Sequence, residues 1–379
     1  MKIITDCNVK GKKVIVRVDF NVPRKDNKII DDNRIVSSLK TINYLVEHKA
    51  KVILLSHLGR VESLEDKEKN SLKIVADHLS SLVHAPVYFI GETRGSLLES
   101  TIDNLLDGEI VVVENTRYED YPKKLESSCD ETLSKYWASL ADIFVLDAFG
   151  SAHRCHASTY GISKYIPSYA GFLVESEVNM LDKAIKEERT LLLGGSKVED
   201  KIGVINNLIK KSNKVLIGGA MCFTFLKARG FNVGKSLVSD ENMDYVKSLL
   251  SKYDSKIILP VDFITEKGCK KIEDFKNDDI GYDIGVESIK LFKNELKNSN
   301  LVLWNGPLGK YEDKAYETGT KEVMKYLSEE KFPTILAGGD ITGASAMFNI
   351  KMYYVSTGGG STLEYLEGKK FKTLERLKG

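Results

Sequence analysis

Short runs of apolar, largely β-branched residues recur along the whole chain, and segments of helical period separate them. The runs occupy residues 14–16, 52–55, 110–113, 143–146, 191–193, 215–217, 257–259, 301–303, 334–336 and 353–355. Between the first two runs, the apolar residues follow the spacing of one helical face, namely Ile35, Leu39, Ile42, Leu45 and Val46. Continuous apolar runs are typical of strands buried in a parallel sheet that helices cover on both faces. The pattern therefore predicts an α/β fold built from doubly wound, Rossmann-like parallel sheets.

The length of the chain predicts two domains. Its 379 residues exceed the roughly 100–200 residues of one average domain. An amphipathic segment near the middle carries one apolar stripe, which consists of Val174, Val178, Leu181 and Ile185. We therefore predict that a helix joins the two domains and that a cleft separates them. The expected bounds are 1–167 plus 365–379 for the first domain, 168–189 for the interdomain helix and 190–364 for the second domain.

Composition and charge exclude several classes of protein. Lys and Arg number 55 against 54 Asp and Glu, and this net charge of +1 argues against a nucleic-acid partner. The longest stretch without Asp, Glu, Lys or Arg, residues 78–91, is shorter than the roughly 18 residues that a membrane span needs. The chain also begins without an apolar signal core, so we expect a cytoplasmic protein with no membrane partner. The five cysteines are widely spaced and predict neither a disulfide framework nor a zinc ribbon.

Polar and cationic residues follow the strands of the first half. The segments concerned are 17–21, 56–60, 114–117 and 147–154. Ligands of parallel sheets bind beyond the carboxyl ends of the strands. Any one of these Arg or His residues is more simply a surface residue or half of an ion pair. Four strand ends that share the pattern favour a site for a small polyanion, because clustered guanidinium groups are costly unless an anion lies among them.

Glycines follow the strands of the second half. The turns are Gly194-Gly195, Gly218-Gly219, Gly338-Gly339 and Gly358-Gly359-Gly360. A single Gly-Gly pair indicates only a tight turn, but four of them favour backbone N–H groups that approach phosphate closely. Lys197 and Lys201 follow the first turn and supply cations, while Asp340 follows the third and supplies a carboxylate for Mg²⁺. The second half therefore predicts a nucleotide site.

Other nucleotide and catalytic signatures are missing or incomplete. The sequence contains no Gly-x-Gly-x-x-Gly of a dinucleotide-binding dehydrogenase and no Gly-x-Ser-x-Gly nucleophile elbow. Residues 230–236 resemble a P-loop but are one residue short and follow a predicted helix, so we interpret them as an ordinary loop. His153, Cys155 and His156 have no evident fourth ligand, and we do not interpret them as a zinc site.

Taken together, the strand-end segments resemble those of the phosphoglycerate kinase family over nearly the whole chain. The matching motifs are residues 16–23, 56–60, 114–118, 147–154, 194–201, 304–309, 338–340, 356–360 and 363–368. The resemblance implies reversible transfer of the acyl phosphate of 1,3-bisphosphoglycerate to Mg-ADP, which gives 3-phosphoglycerate and ATP. It also implies a monomer with hinge closure, whose first domain binds 3-phosphoglycerate and whose second domain binds the nucleotide.

The resemblance further implies roles for individual residues. The residues expected to bind the glycerate substrate are Asp19, Asn21, Arg34, His57, Arg60, Arg117 and Arg154. The residues expected to bind the nucleotide are Gly195, Ser196, Lys197, Lys201, Gly219, Asn305, Glu312, Gly338, Gly339 and Asp340. Asp340 is the expected Mg²⁺ ligand, and the expected catalytic groups around the transferred phosphoryl group are Arg34, Lys197, Gly359 and Gly360.

This chemistry explains why the sequence shows no general base and no covalent nucleophile. The leaving group is a carboxylate and the attacking oxygen of ADP is already ionised, so no proton needs to move. Catalysis then consists of alignment and of stabilising charge on the transferred group, in a site from which water is excluded.

Two residues depart from the family pattern beside the expected metal ligand. Ala337 replaces a glycine and Ile341 replaces a small hydroxyl residue. Because Ile341 cannot cap the following helix, we expect weaker nucleotide binding. The alternative function is a catalytically weakened family member that acts as a binding or scaffold protein, although Lys197, Asp340 and the arginines are all retained.

Overall fold

The apolar runs form strands, as the sequence predicts. The structure is a computed structural model and describes residues 1–26 and 28–378. Every predicted run contributes to one of two six-stranded parallel sheets. In the first run, Val14, Ile15 and Val16 are wholly buried, because helices cover the sheet on both sides of the strand. The predicted α/β fold with two doubly wound parallel sheets is confirmed.

The chain divides into two compact units, and each is described separately. The first unit comprises Met1–Val178 and the C-terminal segment from Lys370. Before the boundary it contains β1 (Lys13–Val18), β2 (Arg24–Lys25), β3 (Lys28–Ile29), α1 (Asn33–Glu47), β4 (Lys51–Leu55), α2 (Leu64–Lys69), α3 (Lys73–Leu82), β5 (Val87–Ile90), α4 (Ser96–Asn104), β6 (Ile110–Val113), α5 (Glu131–Ser139), β7 (Ile143–Asp147) and β8 (Ser168–Ala170). Helix α6 (Phe172–Lys186) carries the chain into the second unit, since the boundary falls within it.

The second unit comprises Asn179–Lys369. It contains β9 (Arg189–Leu193), α7 (Ile202–Leu208), β10 (Ser212–Ile217), α8 (Cys222–Ala228), α9 (Met243–Tyr253), β11 (Ile257–Ile258), β12 (Asp262–Thr265), β13 (Gly268–Lys271), β14 (Asp283–Ile284), α10 (Val286–Leu296), β15 (Val302–Asn305), α11 (Thr318–Glu329), β16 (Thr334–Leu336), α12 (Gly339–Phe348), β17 (Tyr354–Val355) and α13 (Gly360–Leu366). The last helix, α14 (Lys372–Glu375), belongs to the first unit again.

Strand order in the first sheet gathers the polar strand ends at one edge. The order is β5-β6-β4-β1-β7-β8, and every neighbouring pair is parallel. The order reverses at β1, which lies between β4 and β7. Ligand sites in such sheets form beyond the carboxyl ends of the strands at this reversal. The segments after β1, β4, β6 and β7 therefore meet there.

Strand order in the second sheet is that of a doubly wound dinucleotide-binding domain. The order across the sheet is β11-β10-β9-β15-β16-β17. When these six strands are numbered by their order along the chain, the order across the sheet is 3-2-1-4-5-6. The reversal lies between β9 and β15. Gly194 and Gly195 follow β9, while Asn305 ends β15, so the predicted phosphate-binding turns lie at this point.

Several strands were not predicted. Strand β5 and strand β8 form the two edges of the first sheet, β2 pairs with β3, and β12 pairs with β13 and β14 in a small antiparallel sheet. These strands are two to four residues long. Strand β5 is itself a short apolar run, Val87-Tyr88-Phe89-Ile90, which sequence reasoning missed, whereas β8 and β12 mix polar and apolar residues.

The C-terminal segment packs on the first unit. The N–H of Lys2 donates to the carbonyl of Leu377 at 2.6 Å, and Nη2 of Arg376 donates to the carbonyl of Ser163 at 2.7 Å. Leu377 itself is wholly buried.

Within the described residues, no helix has the length and apolar character that crossing a membrane requires.

Candidate functional site

Asp19 and Arg34 form an ion pair beyond the carboxyl end of β1. Nη1 of Arg34 lies 2.7 Å from Oδ2 of Asp19, and Oδ1 of Asp19 accepts a hydrogen bond from the N–H of Asn21 at 3.1 Å. Burial raises the pKa of Asp19, but His57, Arg34 and Arg17 outweigh this effect and hold the pKa below its ordinary value. Asp19 is therefore ionised and orients Arg34, in the first turn of α1, towards this edge of the sheet.

A buried hydrogen-bond chain leads from Glu126 to His57. The N–H and hydroxyl of Ser158 donate to the carboxylate of Glu126, and the Ser158 hydroxyl oxygen accepts from Nε of Arg17 at 2.8 Å. Nη2 of Arg17 lies 3.1 Å from Nδ1 of His57, which follows β4. Burial raises the pKa of Glu126, whereas Arg17 lowers it. The chain ties the end of β1 to the loops that follow β4 and β7.

Several cations act on His57. Burial contributes most to lowering its pKa to about 3, and Arg17, Arg117 and Arg34 lower it further against the opposing effect of Asp19. A neutral imidazole surrounded by three guanidinium groups is the electrostatic signature of a region where anions are favoured.

His156 shows the same effect. Burial, Arg117, Arg17 and Arg154 lower its pKa to about 3. Because Arg17 and Arg117 act on both His57 and His156, these guanidinium groups share one region. We call Arg17, Arg34, Arg117 and Arg154 the arginine cluster.

The remaining predicted substrate residues lie around this cluster. Oδ1 of Asn21 accepts from the N–H of Gly59 at 2.8 Å, which joins the loops after β1 and β4. Nη1 of Arg117 forms an ion pair with Oδ2 of Asp120 at 3.0 Å, and Arg154 is exposed at the rim. Arg60 is also exposed, and it makes no ion pair within the part of the chain that the structure describes.

Sequence reasoning placed Arg17 in the polar strand-end segment 17–21 without giving it a role of its own, and it did not place Glu126 or His156 in this region. One signal was present for Arg17: a charged residue interrupts the apolar run of β1, although only 1% of its surface is exposed. A buried guanidinium needs partners from other segments, and a single sequence does not identify them. Glu126 precedes α5 in a polar stretch and carries no comparable signal.

The strand-end glycines of the second unit fall into two groups. A Cβ atom would collide with a neighbouring turn at Gly194, Gly218, Gly219 and Gly306, for example 2.1 Å from the Pro307 carbonyl at Gly194. A Cβ atom would meet nothing within 4 Å at Gly195, Gly339, Gly359 and Gly360. The first group lets the turns pack against each other, whereas the second group leaves backbone open to a ligand.

A pocket of about 410 Å³ lies within the second unit, where α12 and α13 begin. It is lined by Glu199, Asp200, Lys201, Asn305, Gly306, Gly338, Gly339, Asp340, Gly360, Leu363, Glu364 and Glu367. The N-cap residues of the two helices are Gly338 and Gly359, whose φ angles are +103° and +57°. Neither glycine has a side chain that could accept from the first-turn N–H groups, so these helix N-termini are suited to anions.

Oxygen atoms in this pocket fit a divalent cation that accompanies an anionic ligand. Asp340 lies in the first turn of α12, and Oδ1 of Asn305 is buried without a hydrogen-bond partner among the described residues. Nδ2 of Asn305 donates to the carbonyl of Ala337. Five carboxylates line the pocket against the single ammonium of Lys201, so phosphate groups would need a cation beside them. Within the described residues, no group of three or more His, Cys, Asp or Glu side chains could hold a metal ion alone.

The structure brings only some predicted nucleotide residues into the pocket. Lys201 is buried, and burial lowers its pKa while Asp200 and Asp340 raise it. Lys197 is exposed and does not line the pocket. Ser196 and Glu312 are likewise exposed and do not line the pocket.

Residues that sequence reasoning missed also surround the pocket. Tyr311 lies close to both Glu312 and Asp340: burial raises the pKa of its hydroxyl, and the two carboxylates raise it further. Glu364 and Glu367 line the pocket from α13 and from the residue after it. In the sequence, residues 363–367 matched the family motif, but nothing in their chemistry indicated that Glu364 and Glu367 would line a pocket.

Ala337 and Ile341 do not face the pocket. Ala337 is wholly buried, and its N–H donates to the carbonyl of Trp304 at 2.9 Å. Ile341 is also wholly buried, on the inner side of α12, and Gly338 rather than a hydroxyl residue is the N-cap of that helix. Both side chains are therefore accommodated in the core, which gives no support to the expected loss of nucleotide affinity.

Comparison with known proteins identifies the family of the chain. The family model described as phosphoglycerate kinase matches residues 4–369. The chain is 48% identical to the phosphoglycerate kinase of Fusobacterium nucleatum, covering 99% of each chain. It is also 48% identical to that of Enterococcus faecalis, covering 99% of this chain and 98% of the relative.

Solved structures show the same relationship. The phosphoglycerate kinase of Coxiella burnetii superposes with a TM-score of 0.87 at 34% identity, covering 99% of this chain and 98% of that one. The corresponding structure from Pyrococcus horikoshii gives a TM-score of 0.85 at 29% identity, covering 100% and 98%. A match of this extent, on a chain that carries the arginine cluster and the glycine-lined pocket, means that the protein belongs to the phosphoglycerate kinase family.

Proposed function

We propose that the protein catalyses the reversible transfer of the acyl phosphate of 1,3-bisphosphoglycerate to Mg-ADP, which produces 3-phosphoglycerate and ATP. The observation that carries the proposal is the pairing of two anion sites of different chemistry on one chain. One is the arginine cluster at the edge of the first sheet, and the other is the pocket at the beginning of α12 and α13. Family membership supports the same reaction.

The arginine cluster supports binding of the phosphoglycerate. Guanidinium groups bind carboxylate and phosphate oxygens through parallel hydrogen bonds, and the glycerate substrate carries both groups. Arg34 is oriented by the ionised Asp19. Because its side chain stays partly exposed, Arg34 is suited to contact the transferred phosphoryl group. His57 remains neutral and adds a hydrogen-bond donor without adding a positive charge.

The pocket supports binding of the nucleotide phosphates with Mg²⁺. The N–H groups at the beginning of α12 and α13, together with Lys201, would contact phosphate oxygens. Asp340 would hold the metal, and the unpartnered Oδ1 of Asn305 is a further oxygen acceptor there. Bound Mg²⁺ would neutralise phosphate charge and polarise the group that is transferred.

The reaction is tested by incubating the purified protein with Mg-ATP and 3-phosphoglycerate and measuring the 1,3-bisphosphoglycerate formed. We expect robust turnover that collapses in Asp340→Ala, with binding of 3-phosphoglycerate retained. Turnover that survives in Asp340→Ala would keep the reaction but remove the proposed metal ligand. A folded parent that binds 3-phosphoglycerate without turnover would instead favour a binding or scaffold protein.

Lys197 is proposed to stabilise charge on the transferred phosphoryl group. The side chain is exposed in the loop after β9 and is therefore free to reach a bound ligand. Lys197→Ala should lower kcat by on the order of 10² to 10³, the scale for losing one preorganised charge donor. Lys235→Ala, which removes a lysine from another loop of the second unit, is the control. An unchanged kcat in Lys197→Ala would exclude this role.

We further propose that the protein acts as a cytoplasmic monomer without nucleic-acid or membrane partners. The nearly balanced charge supports the absence of a nucleic-acid partner, and the family resemblance supports the monomer. Size-exclusion chromatography with light scattering should give the mass of one chain, 42.4 kDa. Hinge closure and the predicted domain bounds stay predictions.

A further inference from the structure

Arg17 is a buried residue whose contacts restrict the protonation of a neighbouring histidine. It interrupts the apolar run of β1 between Val16 and Val18, and its guanidinium has three partners. Nε donates to the hydroxyl oxygen of Ser158 at 2.8 Å, Nη1 donates to the carbonyl of Val18, and Nη2 lies 3.1 Å from Nδ1 of His57. The Ser158 hydroxyl in turn donates to Glu126, so the guanidinium is also linked to a buried carboxylate.

The chemistry of a guanidinium determines the direction of the bond to His57. Arginine has five N–H donors and no acceptor, so Nδ1 of His57 must accept the hydrogen bond. A neutral imidazole that accepts at Nδ1 carries its single proton on Nε2. Protonation of Nδ1 would direct an N–H against the guanidinium, which agrees with the lowering of the His57 pKa to about 3.

We propose that Arg17 is a positioning residue that holds His57 in the Nε2–H tautomer, so that His57 presents a neutral hydrogen-bond donor to the anionic glycerate substrate. The inference rests on the proposed function for the identity of the substrate. The Nε2 atom is available for this task, because the contact with Arg17 is the only hydrogen bond of the His57 ring among the described residues.

Among the described residues, no carboxylate accepts a hydrogen bond from Nε2 of His57. Oδ2 of Asp19 already accepts from Arg34 and Oδ1 accepts from the N–H of Asn21. The opposite tautomer would present a lone pair to a carboxylate or phosphate oxygen and would repel it. Fixing the tautomer therefore favours substrate binding without adding a further positive charge to the cluster.

The tautomer is measured directly in the unliganded parent by ¹⁵N NMR of histidine-labelled protein at pH 7. The chain has six histidines, so the spectrum of His57→Gln identifies the His57 signals. We expect an unprotonated Nδ1 and a protonated Nε2. A protonated Nδ1 would overturn the proposal, and this result does not depend on whether the parent is active.

The functional consequence is tested with Arg17→Lys, which keeps the charge but loses the fork of donors. We expect KM for 3-phosphoglycerate to rise about tenfold or more, kcat to change less, and a mixture of His57 tautomers to appear. The matched control is Arg189→Lys in β9, since Arg189 is also 1% exposed but donates only to backbone carbonyls. The control should lower stability without changing KM.

A double-mutant cycle separates positioning from a general structural effect. If Arg17 acts through His57, Arg17→Lys should add little to the KM of His57→Gln. An equal rise of KM in both backgrounds, or an intact tautomer in Arg17→Lys, would overturn the proposal. Failure of the proposed function would look different, because the parent would then lack turnover while the tautomer remained measurable.

Discussion

At the scale of single residues, burial determines the charge of Asp147. This residue ends β7, where its Oδ1 accepts from the N–H groups of Leu173 and Val174 at 2.9 and 3.3 Å, in the first turn of α6. Its Oδ2 is buried without a partner among the described residues. Burial raises the pKa of Asp147 from 3.8 to about 7, and the hydrogen bonds from Thr41 and the two N–H groups oppose the shift only in part.

The pH dependence of stability follows from this shift. Because the folded protein binds the Asp147 proton more tightly than the unfolded chain, the free energy of unfolding should fall as pH rises from about 4 to about 7. Asp147→Asn removes this contribution, at most about 4 kcal/mol over the range, while its side-chain oxygen still accepts from α6. The measurement is urea unfolding at several pH values.

The comparison between variant and parent isolates this contribution. His57 and His156, with pKa values lowered to about 3, act in the opposite direction and reduce stability as pH falls below about 6.5. Their effect is common to both proteins and cancels in the difference. Asp142→Asn, at an exposed carboxylate before β7, should leave the pH slope unchanged. Equal slopes in the parent and Asp147→Asn would contradict the assignment.

Glycines of the pocket also differ from one another at this scale. Gly338 has a φ of +103°, and a Cβ there would lie 2.4 Å from Nδ2 of Asn305. Gly338→Ala should therefore lower the free energy of unfolding by about 2 to 4 kcal/mol, through backbone strain and displacement of Asn305. Gly339→Ala is the control, because a Cβ there meets nothing within 4 Å. Denaturant unfolding measures both, and equal losses would show that the strain argument is wrong.

At the scale of elements, the C-terminal segment completes the first unit. Thr373 in α14 donates its hydroxyl hydrogen to the carbonyl of Ala152, and Leu377 is wholly buried just beyond that helix. The contact with Ala152 joins this segment to the loop that precedes Arg154. The last residues of the chain therefore support a loop of the arginine cluster, although they contribute no side chain to it.

Truncating one buried side chain tests this support. Leu377→Ala should lower the free energy of unfolding of the first unit by about 2 to 5 kcal/mol, through lost burial and the cavity that remains. Leu106→Ala is the matched control in the same unit, because Leu106 is 67% exposed and its loss should change stability by less than about 0.5 kcal/mol. Fluorescence of Trp137, the tryptophan of the first unit, follows the transition. A loss as small as that of the control would mean that the segment is not part of the core.

At the scale of the whole molecule, each unit contains one of the two tryptophans. Trp137 lies in α5 and donates to the carbonyl of Thr93, whereas Trp304 lies in β15 and donates to the carbonyl of Gly306 at the pocket. The two indoles therefore report separately on the unit with the arginine cluster and the unit with the pocket.

Ligands should stabilise the units selectively. We expect 3-phosphoglycerate to stabilise the unit reported by Trp137 and Mg-ADP to stabilise the unit reported by Trp304, each by about 2.7 kcal/mol at a ligand concentration of 100 Kd. Single-tryptophan variants, Trp304→Phe and Trp137→Phe, allow each unfolding transition to be measured alone. Stabilisation of the Trp304 transition by 3-phosphoglycerate alone would contradict the assignment of the sites.

Much of the fold could be predicted because its central strands are continuous apolar runs. That pattern is local: β-branched residues favour strands, and burial on both faces of a parallel sheet excludes polar residues. The strand ends also carried a local signal, since arginines follow the strands of one half and glycines those of the other. Strands β8 and β12 mix polar with apolar residues and left no comparable pattern, whereas β5 is a short apolar run that sequence reasoning missed.

The sequence by itself determined the element types, the two-domain organisation and the contrast between cationic and glycine-rich strand ends. Only the tertiary structure decided which of these residues share a site. Arg17 lies within β1 and Arg60 lies in the loop after β4, yet Arg17 is buried against His57 and Arg60 is exposed. Glu367 joins Asp200 in one pocket across more than 160 positions of the chain. The physical reason is that secondary structure depends on neighbours in sequence, whereas burial and electrostatics depend on strand order, which brings together residues that are distant along the chain.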